Sequence, residues 1–217
     1  NFLSITGSRI LERYGMTETN MITSNPYKCE RKSGTVGLPL PEISVRICDR
    51  STGKLLRENE VGEIQVKGKN VFTGYWKMPE KNLEIFTSDG FFKTEDLGRF
   101  DKDGYFEIVG RLNDLIISGG LNIYPKEIEN ILNMIDGIEE SAVIGVPHND
   151  FGEAVIAVIT NEKNIQLGYN DISKILEKKL AKYKCPKAYF FKKSLPRNNL
   201  GKILKNKLRE EYHNYFN

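Results

Sequence analysis

Residues 94–120, TEDLGRFDKDGYFEIVGRLNDLIISGG, carry three kinds of signal in one run. Near its start stand two adjacent acids (Glu95, Asp96), followed by an arginine set between a glycine and a short polar step (Gly110, Arg111, Asn113, Asp114), and a glycine pair (Gly119, Gly120). Upstream of Gly110 the chain reads as β-hairpins. Asp101-Lys102-Asp103-Gly104 is turn chemistry, since Asp and Gly tolerate the backbone angles of a tight reversal, and it separates Phe100 from the strand-like YFEIVG. Downstream of Pro125, helical and extended patterns alternate. The change of pattern on Arg111 to Asp114 marks a domain junction, giving an expected division into residues 1–112 and 113–217.

Outward from that junction, ISVRICD at 43–49 alternates Ile43, Val45 and Ile47 and then meets a turn, STGK. Residues 63–67 alternate again, with Ile64 and Val66 on one face. Before these, SRILERYGMTE carries Ile10 and Leu11 into a glycine-containing loop, as a strand or short helix ending at a polar site. Residues 35 to 110 are expected to form an antiparallel β-unit curled into a barrel.

On the other side of the junction, Pro125 opens a helix whose Ile128, Ile131, Leu132 and Ile135 share a face, with Gly137 as its stop. SAVIGV and AVIAVIT read as short apolar strands. Asn170 is expected to cap a helix with Ile172, Ile175, Leu176 and Leu180 as its buried stripe. AYFFK is a third strand and KILKNKLREEYHNYF a closing basic helix, so the fold class is α+β.

Composition narrows the possibilities. The chain is 39% apolar and 28% charged, and has no run near the ~20 apolar residues a membrane helix needs. Cys29, Cys48 and Cys185 are far apart and in no CxxC pair, which argues against a zinc site or a disulfide framework and for a reducing, cytoplasmic setting. The opening NFLSITGSRILERYG has no basic n-region before an apolar run and no initial Met, so neither a secretory signal nor a natural start is read there; a fragment of a longer chain is expected. Net charge is +3 but uneven: Lys174 to Arg209 holds thirteen Lys or Arg against the single acid Glu177. Such a tail suits nucleic acid, an acidic membrane or a phosphorylated small molecule, and equally a solvated face. Interleaved Tyr183, Tyr189, Phe190 and Phe191 keep the nucleic-acid option imaginable, although no recognition motif accompanies them.

Two tempting motifs fail. Ser51-Thr52-Gly53-Lys54 resembles the end of a phosphate loop, but Cys48 stands where the first glycine is required and strands flank the segment. His148 and His213 are the only histidines, and neither belongs to a nucleophile elbow or a metal-ligand spacing. What remains is a set of polar loop residues. Tyr14-Gly15-Met16-Thr17-Glu18 places an aromatic face, a hydroxyl and a carboxylate within five residues, enough for a base, a phosphate oxygen and a magnesium ion, or merely for a capped corner. Asp96 is a carboxylate of the kind that binds a ribose diol, or a turn residue. In PRNNLGK, residues 196–202, Lys202 is a mobile point charge on a flexible loop, able to neutralise an oxygen that gains charge in a transition state, or simply solvated.

Taken in order, YGMTE, GEIQVKGKNVFTGYW with the following PE, TEDLG, GRLNDLIISGGLNIYPKEIE and PRNNLGK resemble five consecutive core motifs of the adenylate-forming superfamily, which includes acyl-CoA synthetases, peptide-synthetase adenylation domains and firefly luciferase. Within it, ERYGMTET, GLNIYPKEIE and ESAVIGVPHNDFGE look most like malonyl-CoA synthetases.

The resemblance implies that residues 1–112 end a large AMP-binding domain and that 113–217 are a small mobile C-terminal domain. It implies an ATP-dependent acid:CoA ligase with ATP, Mg²⁺ and coenzyme A, malonate as the favoured acid, and no nucleic-acid partner. Tyr14 would stack on adenine beside Gly15, Thr17 would touch the α-phosphate, and Glu18 would hold Mg²⁺. Asp96 and Arg111 would grip the ribose, Lys202 would assist adenylation, and Gly119 and Gly120 would line a pantetheine channel. Arg13 and Met16 would face the acid, with Arg13 holding the second carboxylate. Asn113 departs from the usual Asp or Lys at the hinge position. The Ser/Thr/Gly-rich loop that embraces the ATP phosphates in this superfamily is not in this sequence; the resemblance puts it upstream.

Overall fold

A computed structural model describes residues 2–161 and 168–216. Its packing divides the chain between Leu112 and Asn113 into two compact units.

The first unit runs α1 (Phe2–Thr6), β1 (Arg13–Met16), β2 (Asn20–Ser24), β3 (Leu38–Pro39), β4 (Ser44–Cys48), β5 (Gly62–Lys67), α2 (Pro79–Ile85), β6 (Phe92–Phe100) and β7 (Phe106–Arg111). The strands make two antiparallel sheets, β1-β2-β3 and β4-β5-β6-β7. The alternation in β4 and β5 has the expected effect: Ile47, Ile64 and Val66 are buried with Ile22 and Phe106. The 101–104 reversal is also as read, with Phe100 opposite Phe106 and the Asp101 carboxylate accepting the amides of Asp103 and Tyr105.

The barrel is not closed. One bridge, Gly37 to Phe106, joins the two sheets through Val36 N–H to Phe106 O (2.7 Å) and Phe106 N–H to Gly37 O (2.9 Å). The ladder stops there because β3 is two residues long and one of them, Pro39, has no N–H to offer. The bridge is tight: a Cβ on Gly37 would lie 2.0 Å from the Ser24 carbonyl carbon.

The second unit runs β8 (Ile116–Ser118), β9 (Leu121–Ile123), α3 (Pro125–Leu132), β10 (Ile138–His148), β11 (Gly152–Asn161), α4 (Tyr169–Lys179), β12 (Ala188–Phe191) and α5 (Lys205–Tyr212). β11 is central. β10 lies antiparallel along one edge of it; on the other edge β8 pairs at Gly152 and β12 lies parallel to Ile156–Ile159. One face buries Val143, Val155, Ala157 and Ile159 under Ile128 and Leu132 of α3 and Ile172 and Leu176 of α4. The other buries Ala142, Ile144, Val146, Ile156 and Val158 with Leu195, which follows β12, and with Leu208 of α5. Strands covered on both faces read as continuous apolar runs, which is why SAVIGV and AVIAVIT show no alternation.

Three boundaries differ from the sequence reading. α3 ends at Leu132, where the Asn133 amide closes on Glu129 O; Gly137 belongs to the turn before β10. α4 begins at Tyr169 after the extended Gly168, so Asn170 lies inside the helix. α5 begins only at Lys205, because Leu204 N–H is tied back to Pro196 O and the intervening residues form a closed loop.

One ion pair fastens α5 to α3. Glu129 is 7% exposed; its Oε1 accepts the Val143 amide (2.9 Å) and lies 2.6 Å from Lys205 Nζ. A carboxylate on so short a stem cannot reach water if its cation is removed. Lys205→Met is therefore expected to lower the unfolding free energy by about 3–5 kcal/mol in denaturant titrations. The exposed Lys207→Met should change it by less than about 0.5 kcal/mol; equal effects would mean the pair adds nothing.

Candidate functional site

β1, β6 and β7 build the principal polar cluster. Between the pairs Glu63–Leu97 and Gln65–Lys93, Ile64 of β5 faces residues 94–96 of β6, a bulge in which Glu95 takes a left-handed backbone (φ +59°). Bulges of this kind re-aim a side chain. Here Asp96 is turned inward to 4% exposure, its amide held by Thr94 Oγ1 (3.1 Å). Its register partner on β7 is Arg111, the last residue of that strand.

Each Asp96 oxygen has a donor. Tyr14 Oη donates to Oδ2 at 2.6 Å and Arg111 Nε lies 3.2 Å from Oδ1. Burial first, and then the Asp96 charge, push the Tyr14 phenol far above its ordinary pKa. Tyr14 therefore remains a donor across the physiological range, and its ring is fixed by its own hydroxyl. Each carboxylate oxygen can accept a further hydrogen bond, so a diol can be received without breaking either contact.

Glu18 stands in the turn between β1 and β2. Asn70 Nδ2 pins that turn by donating to Thr19 O (2.6 Å) and Met21 O (3.1 Å), and Phe72 N–H donates to Glu18 O (2.8 Å). Tyr75 Oη donates to Glu18 Oε1 at 2.9 Å, leaving Oε2 with no hydrogen-bond partner among the described residues. The Tyr75 pKa is raised, by burial and then by the bond to Glu18. No cluster of three or more His, Cys, Asp or Glu side chains suited to a metal occurs among the described residues. An oriented carboxylate with a free oxygen nonetheless fits Mg²⁺, which binds through one or two carboxylates plus the phosphate oxygens of its nucleotide.

The other residues singled out in the sequence fall as follows. Gly15 packs against the Asn20 carbonyl, which a Cβ would approach to 2.2 Å. Thr17 is exposed at the turn. Arg13 is exposed and makes no ion pair with a described residue, while Met16 is half-buried like Tyr14, so exposure along β1 separates Arg13 from Met16. In the second unit, Gly119 and Gly120 are the two central residues of the β8–β9 hairpin, both with positive φ (+58° and +78°). Gly119 N–H donates to Phe151 O, and the space around Gly120 is open. Lys202 is exposed on the 196–204 loop, its Nζ without a partner among the described residues. That loop is more ordered than its sequence suggests: Asn198 Oδ1 accepts the amides of Leu200 (3.0 Å) and Lys202 (2.9 Å). Tyr75 and Asn70 had escaped the sequence reading because each acts on a residue far away in the chain, and Thr94 because its bond to the Asp96 amide depends on the bulge.

The model of the AMP-binding enzyme family matches residues 1–76, and that of the AMP-binding enzyme C-terminal domain matches residues 127–202. The chain belongs to this adenylate-forming family. It is similar to the malonate–CoA ligase of Arabidopsis thaliana, with 43% identity over 97% of this chain and 36% of that protein. It is also similar to a long-chain-fatty-acid–CoA ligase of Bacillus subtilis, at 39% identity over 97% and 38%. Among solved structures, ATP-bound MatB from Rhodopseudomonas palustris superposes with a TM-score of 0.95 at 51% identity, over 100% of this chain and 43% of that one. The chain thus spans well under half the length of these relatives.

Tyr14→Phe removes one donor from the Asp96 carboxylate and should cost about 1–3 kcal/mol of unfolding free energy. Because the folded state keeps the Tyr14 proton above the unfolded phenol's pKa of 10.0, it binds more protons than the unfolded chain at higher pH, and stability falls as pH rises through that value. Urea titrations at pH 8 and at pH 11 test this: the variant should lose less stability between them than the parent, and identical losses would remove Tyr14 from the alkaline response.

Proposed function

We propose that these residues belong to an ATP-dependent, AMP-forming acid:CoA ligase whose acid is malonate. The observation that carries this reading is the Tyr14–Asp96–Arg111 cluster: a fixed aromatic ring beside a buried carboxylate held by one hydrogen bond and one ion pair, with acceptor capacity to spare. Such a group suits an adenosine, the ring stacking on the base and Asp96 and Arg111 holding the ribose hydroxyls. In the first half-reaction a carboxylate oxygen of the acid attacks the α-phosphorus of ATP and pyrophosphate leaves. In the second the CoA sulfur attacks the acyl carbon, its proton is lost and AMP leaves.

The residues position and neutralise, and no covalent enzyme intermediate is needed. Thr17 contacts the α-phosphate. Glu18, oriented by Tyr75, holds Mg²⁺, which when bound neutralises phosphate charge. Lys202 donates to the oxygens on which charge grows during adenylation. Residues 1–112 complete the AMP-binding domain and 113–217 form the C-terminal domain that carries Lys202. Leu112–Asp114, a single 3-10 turn, is the hinge between them. Gly119 and Gly120 border the path of the pantetheine arm.

The test joins this chain to the portion of Rhodopseudomonas palustris MatB outside the matched 43% and measures acid-dependent exchange of pyrophosphate into ATP. Exchange driven by malonate is expected. Lys202→Ala should reduce it by roughly 10²- to 10³-fold, while thioester formation from supplied acyl-adenylate persists. Equal damage to both half-reactions would end the assignment of Lys202. AMP binding to the 217-residue chain, weakened by Asp96→Asn, provides a check that needs no fusion.

The acid is a separate question, since the relatives include long-chain ligases. A dicarboxylate must place its second, unreacting carboxylate against a cation, because burying it unpaired is prohibitive. Arg13 is an arginine not engaged by any described acid, immediately before Tyr14. Arg13→Met should therefore lose roughly 1.5–3 kcal/mol in kcat/KM for malonate, the scale of a hydrogen bond to a charged group, with propionate much less affected. A parallel fall for both acids would remove Arg13 from the acid site, and preference for a longer monocarboxylate would replace malonate.

A further inference from the structure

Lys202 lies next to a clamp made by residues with no role so far. We infer that Arg197 and Glu140 are positioning residues that set where the Lys202 amine can reach. The guanidinium of Arg197 has two clients: its Nη2 sits between both carboxylate oxygens of Glu140, and its Nη1 donates to the carbonyl of Gly201, the residue before Lys202. The chain pairs across the same place, Arg197 with Ile203, and Asn198 and Lys202 exchange main-chain and side-chain hydrogen bonds inside the loop. One planar cation thus ties the loop to β10 and fixes the peptide immediately before the lysine.

The position of Glu140 is itself built. β10 opposes Ile138 to Asn161 and Glu140 to Thr160, so Glu139 is an extra residue and the strand is bulged. Strict alternation would put Ile138 and Glu140 on one face. With the bulge, Ile138 joins the core beneath α3 and α4, while Glu140 reaches the loop that follows Leu195 on the α5 side. The pair is partly exposed, 43% for the Arg197 side chain and 28% for Glu140, and pairs of that exposure add little to folding stability. Its effect is on geometry, where displacing a reacting group by about 1 Å can cost about 10²-fold in rate.

The inference rests on Lys202 being the adenylation lysine, and two measurements keep the two apart. The first needs no activity: amide hydrogen exchange on the 217-residue chain. Glu140→Gln, and Arg197→Lys, which keeps the charge but not the two planar donors, should speed exchange at Gly201 and Lys202 roughly tenfold or more. The β10–β11 amides and the melting temperature should hold. The second compares half-reactions in the fused ligase. Glu140→Gln should slow adenylation roughly 10- to 100-fold and leave thioester formation from supplied adenylate unchanged, the split also expected of Lys202→Ala. Unchanged exchange at Gly201 and Lys202 overturns the clamp, as does an equal fall of both half-reactions while Lys202→Ala remains selective. If Lys202→Ala is itself unselective, the functional reading fails instead, and the exchange result alone judges the clamp.

Discussion

A carboxylate that is 4% exposed must be supplied with donors, and the first unit is arranged around supplying them to Asp96. The bulge that turns Asp96 inward needs β5 on one side and the Thr94 hydroxyl beneath it. Arg111 needs β7 to end opposite it, and Tyr14 must arrive from the other sheet. The bridge from Gly37 to Phe106 that stops short of closing a barrel links the sheet of Tyr14 to that of Asp96 and Arg111. Fold and cluster are in this sense one requirement: without the junction between sheets the phenol and the carboxylate would not meet.

The second unit resolves its charge differently. A tail with thirteen cations looks in sequence like a surface awaiting a polyanion. In the structure Lys184, Lys192, Arg197, Lys205 and Arg209 are engaged by Glu127, Glu211, Glu140, Glu129 and Asp114 of the same unit. Five of the thirteen cations are therefore internal struts, and the acids they meet all lie outside the stretch itself. Lys202, like Lys174 and Lys207, has no such partner among the described residues; what sets it apart is its place on the 196–204 loop.

What the sequence made legible was whatever depends on near neighbours. The 101–104 turn, the entry of α3 at Pro125 and the two apolar strands β10 and β11 were each written in a few adjacent residues. The site residues Tyr14, Asp96, Arg111 and Lys202 could be named because they sit in ordered motifs, yet their contacts could not. Tyr14 and Asp96 are far apart in the chain and meet across two sheets, and the Tyr75 to Glu18 bond is of the same kind. Helix ends were misplaced where a residue of suitable type stood near the true boundary. Gly137 resembled a stop, but the chain had already left the helix at Asn133; Asn170 resembled a cap, but the extended Gly168 took that place. The bulges at Glu95 and Glu139 leave no local trace, since a one-residue excess is defined only against a partner strand.

The Gly119–Gly120 hairpin carries a consequence about handedness. Crowding does not demand glycine at position 120, for the space where a side chain would stand is open. What disfavours ordinary residues is the mirror-image backbone, which L-amino acids, as at Glu95, enter at a cost of roughly 1–2 kcal/mol and Asn more readily than most. A side chain of the opposite chirality would fit this turn with no strain at all. The tip of β8–β9 is thus bare for reasons of backbone chirality, and the smooth, side-chain-free surface it offers to anything passing over it is a by-product of the stereochemistry of a two-residue turn.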